Sequence, residues 1–154
     1  MARTLVAGFG NVLRGDDGFG VEVVRRLQQE DLGPAVDVME IGTAGIRLVQ
    51  QLLDRYERLV IVDAMSRGGE AGSVYVLSVD DVAPAATVDM HTAVPASALA
   101  MARSMGALPG FVFMVGCEAG ETDELTTELS SGVRAAVDIA VDHVRRLIRE
   151  FPRE

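Results

Sequence analysis

Four aliphatic residues in a row, Leu59-Val60-Ile61-Val62, run into a lone carboxylate, Asp63. A strand with one face in water alternates apolar and polar side chains. An unbroken aliphatic run therefore reads as a strand covered on both faces, as in a parallel sheet between two layers of helices. The flanking segments fit that frame. Thr4 to Ala7 is a second short apolar run, closed by Gly8. From Phe19 or Gly20 to Gln29 the period changes, with Val21, Val24 and Leu27 at helical spacing and Glu22, Arg25 and Arg26 off the stripe.

After the Gly33-Pro34 turn, Val36 to Ile41 alternates as a strand, and the loop Gly42 to Gly45 leads into a helix through about Leu53. The buried run, Arg58 to Val62, is the third strand, with Asp63 ending it. Ser73 to Val79 alternates as a fourth, and no clear helix separates it from its predecessor, which admits antiparallel pairing. A helix is predicted from about Thr92 to Met105, with Pro95 tolerable only in its first turn. Phe111 to Val115 is the next buried strand, and Leu125 to Phe151 reads as one long helix with Val133, Val137, Val141, Val144 and Ile148 inward. This order predicts a single α/β domain over residues 1–154, a three-layer sandwich whose mostly parallel twisted sheet of about five strands carries helices on both faces. In such sheets ligands sit beyond the carboxyl ends of the strands, where the strand order reverses.

Charge and cysteine usage narrow the partners. With 14 basic against 23 acidic residues the formal charge is −9, which disfavours a nucleic-acid partner. Arg25, Arg26, Arg145, Arg146 and Arg149 are interspersed with acids and read as a solvated face. The single cysteine, Cys117, allows no intrachain disulfide, and no apolar stretch approaches membrane-spanning length. Together these point to a cytoplasmic protein without membrane anchoring.

The chemistry-bearing residues lie where the predicted strands end. In Gly8-Phe9-Gly10-Asn11-Val12-Leu13-Arg14-Gly15-Asp16-Asp17-Gly18, a dinucleotide fingerprint would need its third glycine where Leu13 stands, and two carboxylates would repel a pyrophosphate. Two carboxylates ahead of a helix can bind a cation or cap the helix, and Asp16 is read as the cap and Asp17 as the ligand. Asp63 emerges from its buried strand at the active edge of the sheet, although a strand-end Asp can also serve by accepting loop hydrogen bonds. His91, just before the predicted third helix, would be kept neutral by the helix dipole and so able to bind metal; a lone loop histidine can equally be plain surface. One imidazole and two carboxylates suit nickel, zinc or iron, with positions left open for substrate. His143 falls off its helical stripe and is expected to be exposed without a role, and Cys117 is expected to be structural.

Gly8-Phe9-Gly10-Asn11-x-Leu13-x-Gly15-Asp16-Asp17-Gly18-x-Gly20, Gly42-Thr43-Ala44-Gly45, Val60-Ile61-Val62-Asp63-Ala64, His91 and Gly116-Cys117-Glu118 together resemble the hydrogenase maturation proteases, over about residues 4 to 150. The resemblance implies an endopeptidase that removes the C-terminal extension of a nickel-iron hydrogenase large-subunit precursor after nickel insertion. It also implies that Asp17, Asp63 and His91 match a trio that recognises nickel carried by the precursor, with no permanently bound cofactor. By the same resemblance Gly42, Thr43, Ala44 and Gly45 form a substrate-recognition loop. Asp16 is a candidate general base, and the protein is expected to act as a monomer. The alternative is a metal-sensing chaperone that docks on the precursor without cutting it. Two departures bear on partner choice: Glu40-Ile41-Gly42-Thr43 stands where many relatives have Asp-Gly-Gly-Thr, and Ala119 stands where Pro often follows the Glu.

Overall fold

The computed structural model describes residues 2–79, 90–120, 122 and 124–150, with only the backbone described at 90–93. Its elements are β1 (Thr4–Phe9), a 3-10 turn (Gly15–Gly18), α1 (Phe19–Leu27), β2 (Val36–Gly42), α2 (Ile46–Leu52), β3 (Arg58–Met65), β4 (Val74–Ser78), α3 (Met90–Ser104), β5 (Phe111–Glu118) and α4 (Ser131–Glu150). The strands form one five-stranded sheet in the order β2-β1-β3-β5-β4. β1 pairs parallel with β2 and with β3, and β3 pairs parallel with β5. β4 runs antiparallel to β5 at the edge.

The aliphatic run of β3 divides between two cores. Val60, Val62 and Ala64 pack in the layer that contains Val23, Val24 and Leu27 of α1 and Val133, Val137, Val141 and Val144 of α4. Leu59, Ile61 and Met65 pack in the opposite layer, with Leu48 and Leu52 of α2 and Ala98, Leu99 and Ala102 of α3. Both faces are therefore dry, and a polar residue at any of these positions would need a buried partner. The arginines of the α1/α4 face are interleaved with acids, as expected for a solvated face. Arg25 pairs with Glu40 at 2.9 Å, Arg145 with Glu30 at 2.6 Å, and Arg26 with Asp138.

Four expectations need correction. β3 does not stop at Asp63 but runs to Met65, because β5 continues alongside it to Glu118 and keeps the ladder going. His91 lies in the first turn of α3 rather than ahead of the helix, since α3 begins at Met90. Pro95 consequently sits in the second turn and forfeits the bond its N–H would have made one turn back. The last helix starts at Ser131, not Leu125, because the chain before it is tied elsewhere. Thr126 forms a bridge with Arg14, donating its N–H to Leu13 O at 2.9 Å and accepting from Gly15 N at 2.8 Å.

α1 rests directly on the carboxyl ends of β1 and β3. A Cβ at Gly20 would overlap the carbonyl oxygens of Val62 and Phe9. Alanine is normally favoured over glycine in a helix by about 1 kcal/mol, but here it would push the helix off the sheet. Gly20→Ala is therefore expected to destabilise the fold by about 3 kcal/mol or more, read as a lower urea midpoint. A neutral or stabilised variant would mean that the helix can lift away without cost.

Candidate active site

The site is organised around Gly10, the residue after β1. Its φ of 128° suits glycine, and a Cβ there would overlap the Asp17 carbonyl oxygen and come within 3.6 Å of Asp63 Oδ1. Gly10 N–H donates to Gly42 O at 2.9 Å, which joins the end of β2 to the same point. Three segments remote in sequence thus meet at the carboxyl end of the sheet: the 3-10 turn carrying Asp17, the β3 segment carrying Asp63, and the start of the Gly42–Gly45 loop. The half-buried Asp17 accepts a hydrogen bond on Oδ2 from Asn11 N at 2.8 Å. Asn11 in turn accepts from Leu13 N at 2.9 Å, an Asx turn that shapes the loop. Asp63 is 2% exposed and accepts from its neighbour Ala64 N at 2.8 Å.

The Gly42–Gly45 loop leans on α3. A Cβ at Gly45 would lie 3.1 Å from Val94 Cγ1, and Val94 is one helical turn beyond His91. The loop therefore packs against the helix whose first turn holds the candidate histidine, although the His91 side chain is outside the described residues. Among the described residues no group of three His, Cys, Asp or Glu side chains gathers as a metal site. Thr43 and Ala44 are exposed. Gly45 opens onto a groove of about 320 Å³ lined by Ile46, Val49, Val94, Ser97, Ala98 and Met101, none of them charged.

Two carboxylates differ from their expected roles. Asp63 does not close its strand but lies within it, since β3 holds it in register opposite Gly116. Asp16 does not cap α1; Gly18 occupies that position, with no side-chain cap bond. Asp16 is instead 0% exposed, and its oxygens accept from Ser130 N (2.7 Å), Ser130 Oγ (2.8 Å) and Gly120 N (2.8 Å). A general base needs a lone pair aimed at substrate or water, and the burial and bonding of Asp16 argue against that role. Cys117 is wholly buried, and burial, reinforced by the nearby negative charge of Asp16, pushes its thiol up to about 12. A thiolate nucleophile is thereby ruled out at neutral pH, in line with the structural reading.

The residue whose role sequence reasoning missed is Glu118. Its carboxylate accepts from Arg67 N (2.9 Å), Gly69 N (3.1 Å) and Tyr75 OH (2.8 Å), pinning the loop that follows β3. Arg67 in turn lies over the Tyr75 ring at 5.5 Å. The available signal was a charged residue closing a buried strand in Gly116-Cys117-Glu118, the same signal that singled out Asp63.

A family model for hydrogenase maturation proteases matches residues 21–147. The chain belongs to the hydrogenase maturation protease family. It is 31% identical over 161 residues to the hydrogenase 2 maturation protease of Escherichia coli, covering 99% of this chain and 97% of that one. It is 30% identical over 153 residues to the hydrogenase expression/formation protein HupD of Rhizobium leguminosarum, covering 97% and 75%. Its fold superposes on the hydrogenase maturating endopeptidase HybD of Escherichia coli with a TM-score of 0.86 at 29% identity, covering 96% and 93%. As a maturation protease the chain is an endopeptidase, a peptide-bond hydrolase.

In this protease Glu118 links the loop after β3 to pH. Burial alone would raise its carboxyl, but the hydrogen bonds from Arg67 N, Tyr75 OH and Gly69 N outweigh it and hold the group below the ordinary value of 4.5. A carboxylate depressed in the folded state stabilises the fold above its unfolded pKa, and that contribution is lost as pH falls through the folded pKa. Glu118→Gln is expected to cost about 2 kcal/mol at neutral pH. It should also lose less stability than the parent between about pH 6 and about pH 3 in urea titrations. Parallel acid limbs for the two proteins would show that Glu118 does not carry this dependence.

Proposed function

We propose that the protein removes the C-terminal extension from the large-subunit precursor of a nickel-iron hydrogenase after nickel insertion. In this reading the nickel, carried by the substrate, is recognised by Asp17, Asp63 and His91. The observation that supports it most is the meeting at Gly10 of the Asp17 turn and Asp63, at the carboxyl end of β1 and β3. Carboxylate oxygens and an imidazole nitrogen are donors suited to a divalent first-row metal.

Grasping the precursor's nickel would fix the neighbouring peptide bond at the mouth of the sheet, and orientation of that kind lowers the barrier substantially without any covalent step. Water adds to the scissile carbonyl, the C–N bond breaks, and the proton released by the water passes to the departing amine. The carboxylates on the substrate side are then Asp17 and Asp63, with Asp16 behind them. Gly42, Thr43, Ala44 and Gly45 would meet the substrate backbone, with the uncharged groove beside Gly45 next to it. The names of the relatives favour cutting over the non-cleaving chaperone alternative. Among the described residues no helix is long and apolar enough to cross a membrane, and we place the reaction in the cytoplasm, carried out by a monomer that binds no nucleic acid.

Incubation with nickel-loaded and nickel-free precursor, followed by mass measurement of the large subunit, tests the reading. Loss of a C-terminal peptide only from the nickel-loaded form is expected, and an unchanged mass in both samples would defeat it. Asp17→Ala, Asp63→Asn and His91→Ala should each slow processing by about 100-fold or more. Asparagine is chosen at position 63 because the site is buried and an isosteric side chain leaves no cavity. Full processing by His91→Ala would remove that residue from the recognition set.

A further inference from the structure

We propose that Asp16 is a positioning residue, which locks the turn bearing Asp17 against the N-terminus of α4 and so makes Gly120 and Ser130 part of the framework of the active site. The proposal rests on the reading that Asp17 meets the nickel of the substrate. A carboxylate that is 0% exposed, one residue from a half-buried carboxylate at the site mouth, calls for a role of its own.

The role follows from what Asp16 holds. Its partners come from two places on the far side of the turn. Gly120 lies just past β5, and Ser130 immediately precedes α4. Ser130 O accepts the N–H of Arg134 at 2.8 Å, so Ser130 is the cap residue from which α4 starts at Ser131. A negative charge there is stabilised by the dipole of a 20-residue helix. The helix thus fixes Asp16, and Asp16 fixes the turn. A second tie lies a few residues away, where Gly15 N donates to Thr126 O (2.8 Å), Thr126 N donates to Leu13 O (2.9 Å) and Arg14 Nε donates to Thr122 O (3.1 Å).

Successive side chains of a 3-10 turn diverge by about 120°. With Asp16 directed at α4, Asp17 is carried round toward Gly10 and Asn11, where its Oδ2 accepts Asn11 N at 2.8 Å. Releasing Asp16 would let the turn rotate and move the Asp17 carboxylate. A displacement of about 1 Å at a catalytic group is enough to cost about 100-fold in rate. The sequence suggests a competing role, general base, and the two roles leave different traces. A base imposes its own ionisation on the pH profile of turnover, whereas a positioning residue scales the rate without changing the profile's shape.

Ser130 is the tool, because it can be altered without touching the carboxylate. Ser130→Ala removes one of the bonds to Asp16 and should slow processing of nickel-loaded precursor by about 10-fold, with the pH profile unchanged in shape. Ser130→Thr, which keeps the hydroxyl, should restore the rate to within about threefold. Amide exchange reads the coupling without substrate: the Asn11 N–H should exchange about 10-fold faster in Ser130→Ala, while Val141 in the middle of α4 stays as protected as in the parent. Parent-like processing and Asn11 exchange in Ser130→Ala would overturn the proposal. So would an Asp16→Asn protein that folds and loses the acid limb of its pH profile while Ser130→Ala remains silent. If instead Asp17→Ala processes precursor normally, the nickel reading fails, and the Asn11 exchange still decides whether Asp16 orders the turn.

Discussion

The structure depends on a close approach of backbone to backbone where α1 meets the sheet. Gly20 sits against the Val62 and Phe9 carbonyls, Gly8 against the Gly20 carbonyl and Val24, and Gly10 against the Asp17 carbonyl. No side chain fits between these segments. In dinucleotide-binding folds a glycine at the start of the helix permits the same close packing of helix on strand. Here Gly20 does so at a longer spacing, and the extra residues form the turn that carries Asp16 and Asp17. The failed fingerprint at Leu13 and the acidic turn are therefore two aspects of one arrangement, in which a place elsewhere suited to a pyrophosphate is occupied by carboxylates.

The topology places that turn at the one point of the sheet where a site is expected. The chain leaves β1 for β2 on one side and returns as β3 on the other, so the strand order β2-β1-β3-β5-β4 reverses between β1 and β3. Asp17 follows β1, and Asp63 is part of β3. Each is then braced by a different layer. Asp63 is held by pairing with β5, the Gly42–Gly45 loop rests on α3, and Asp16 ties the turn to the start of α4. A site built from loop ends in this way draws its rigidity from elements on both faces of the sheet.

Much of this was legible because it is written in periodicity. The unbroken run of β3, the stripes of α1 and α4 and the alternation of β2 gave the layers, and the glycine-rich acidic loop and Asp63 marked two segments that the structure brings together at Gly10. What was not legible depends on long-range pairing. Nothing local announces that β3 continues past Asp63, because the two added residues, Ala64 and Met65, are held by β5. The stretch from Leu125 to Leu129 has no strong helix breaker, yet Thr126 bridges to Arg14 and delays α4 to Ser131. Asp16, expected to cap the helix that follows it, instead bonds Ser130 ahead of α4, 114 residues away in sequence, a pairing that no local pattern announces. Glu118 carried the same signal as Asp63, yet its partners in the loop at Arg67 and Gly69 cannot be inferred from spacing.

The burial of Cys117 has a practical side. The only thiol in the chain lies inside the α1/α4 core with its ionisation pushed up to about 12, so it is shielded from alkylating reagents while the fold is intact. A cysteine introduced on the exposed Thr43 or Ala44 would be the sole reactive handle on the native molecule. Fluorophores or spin labels could then be attached beside the mouth of the sheet without first removing the natural residue.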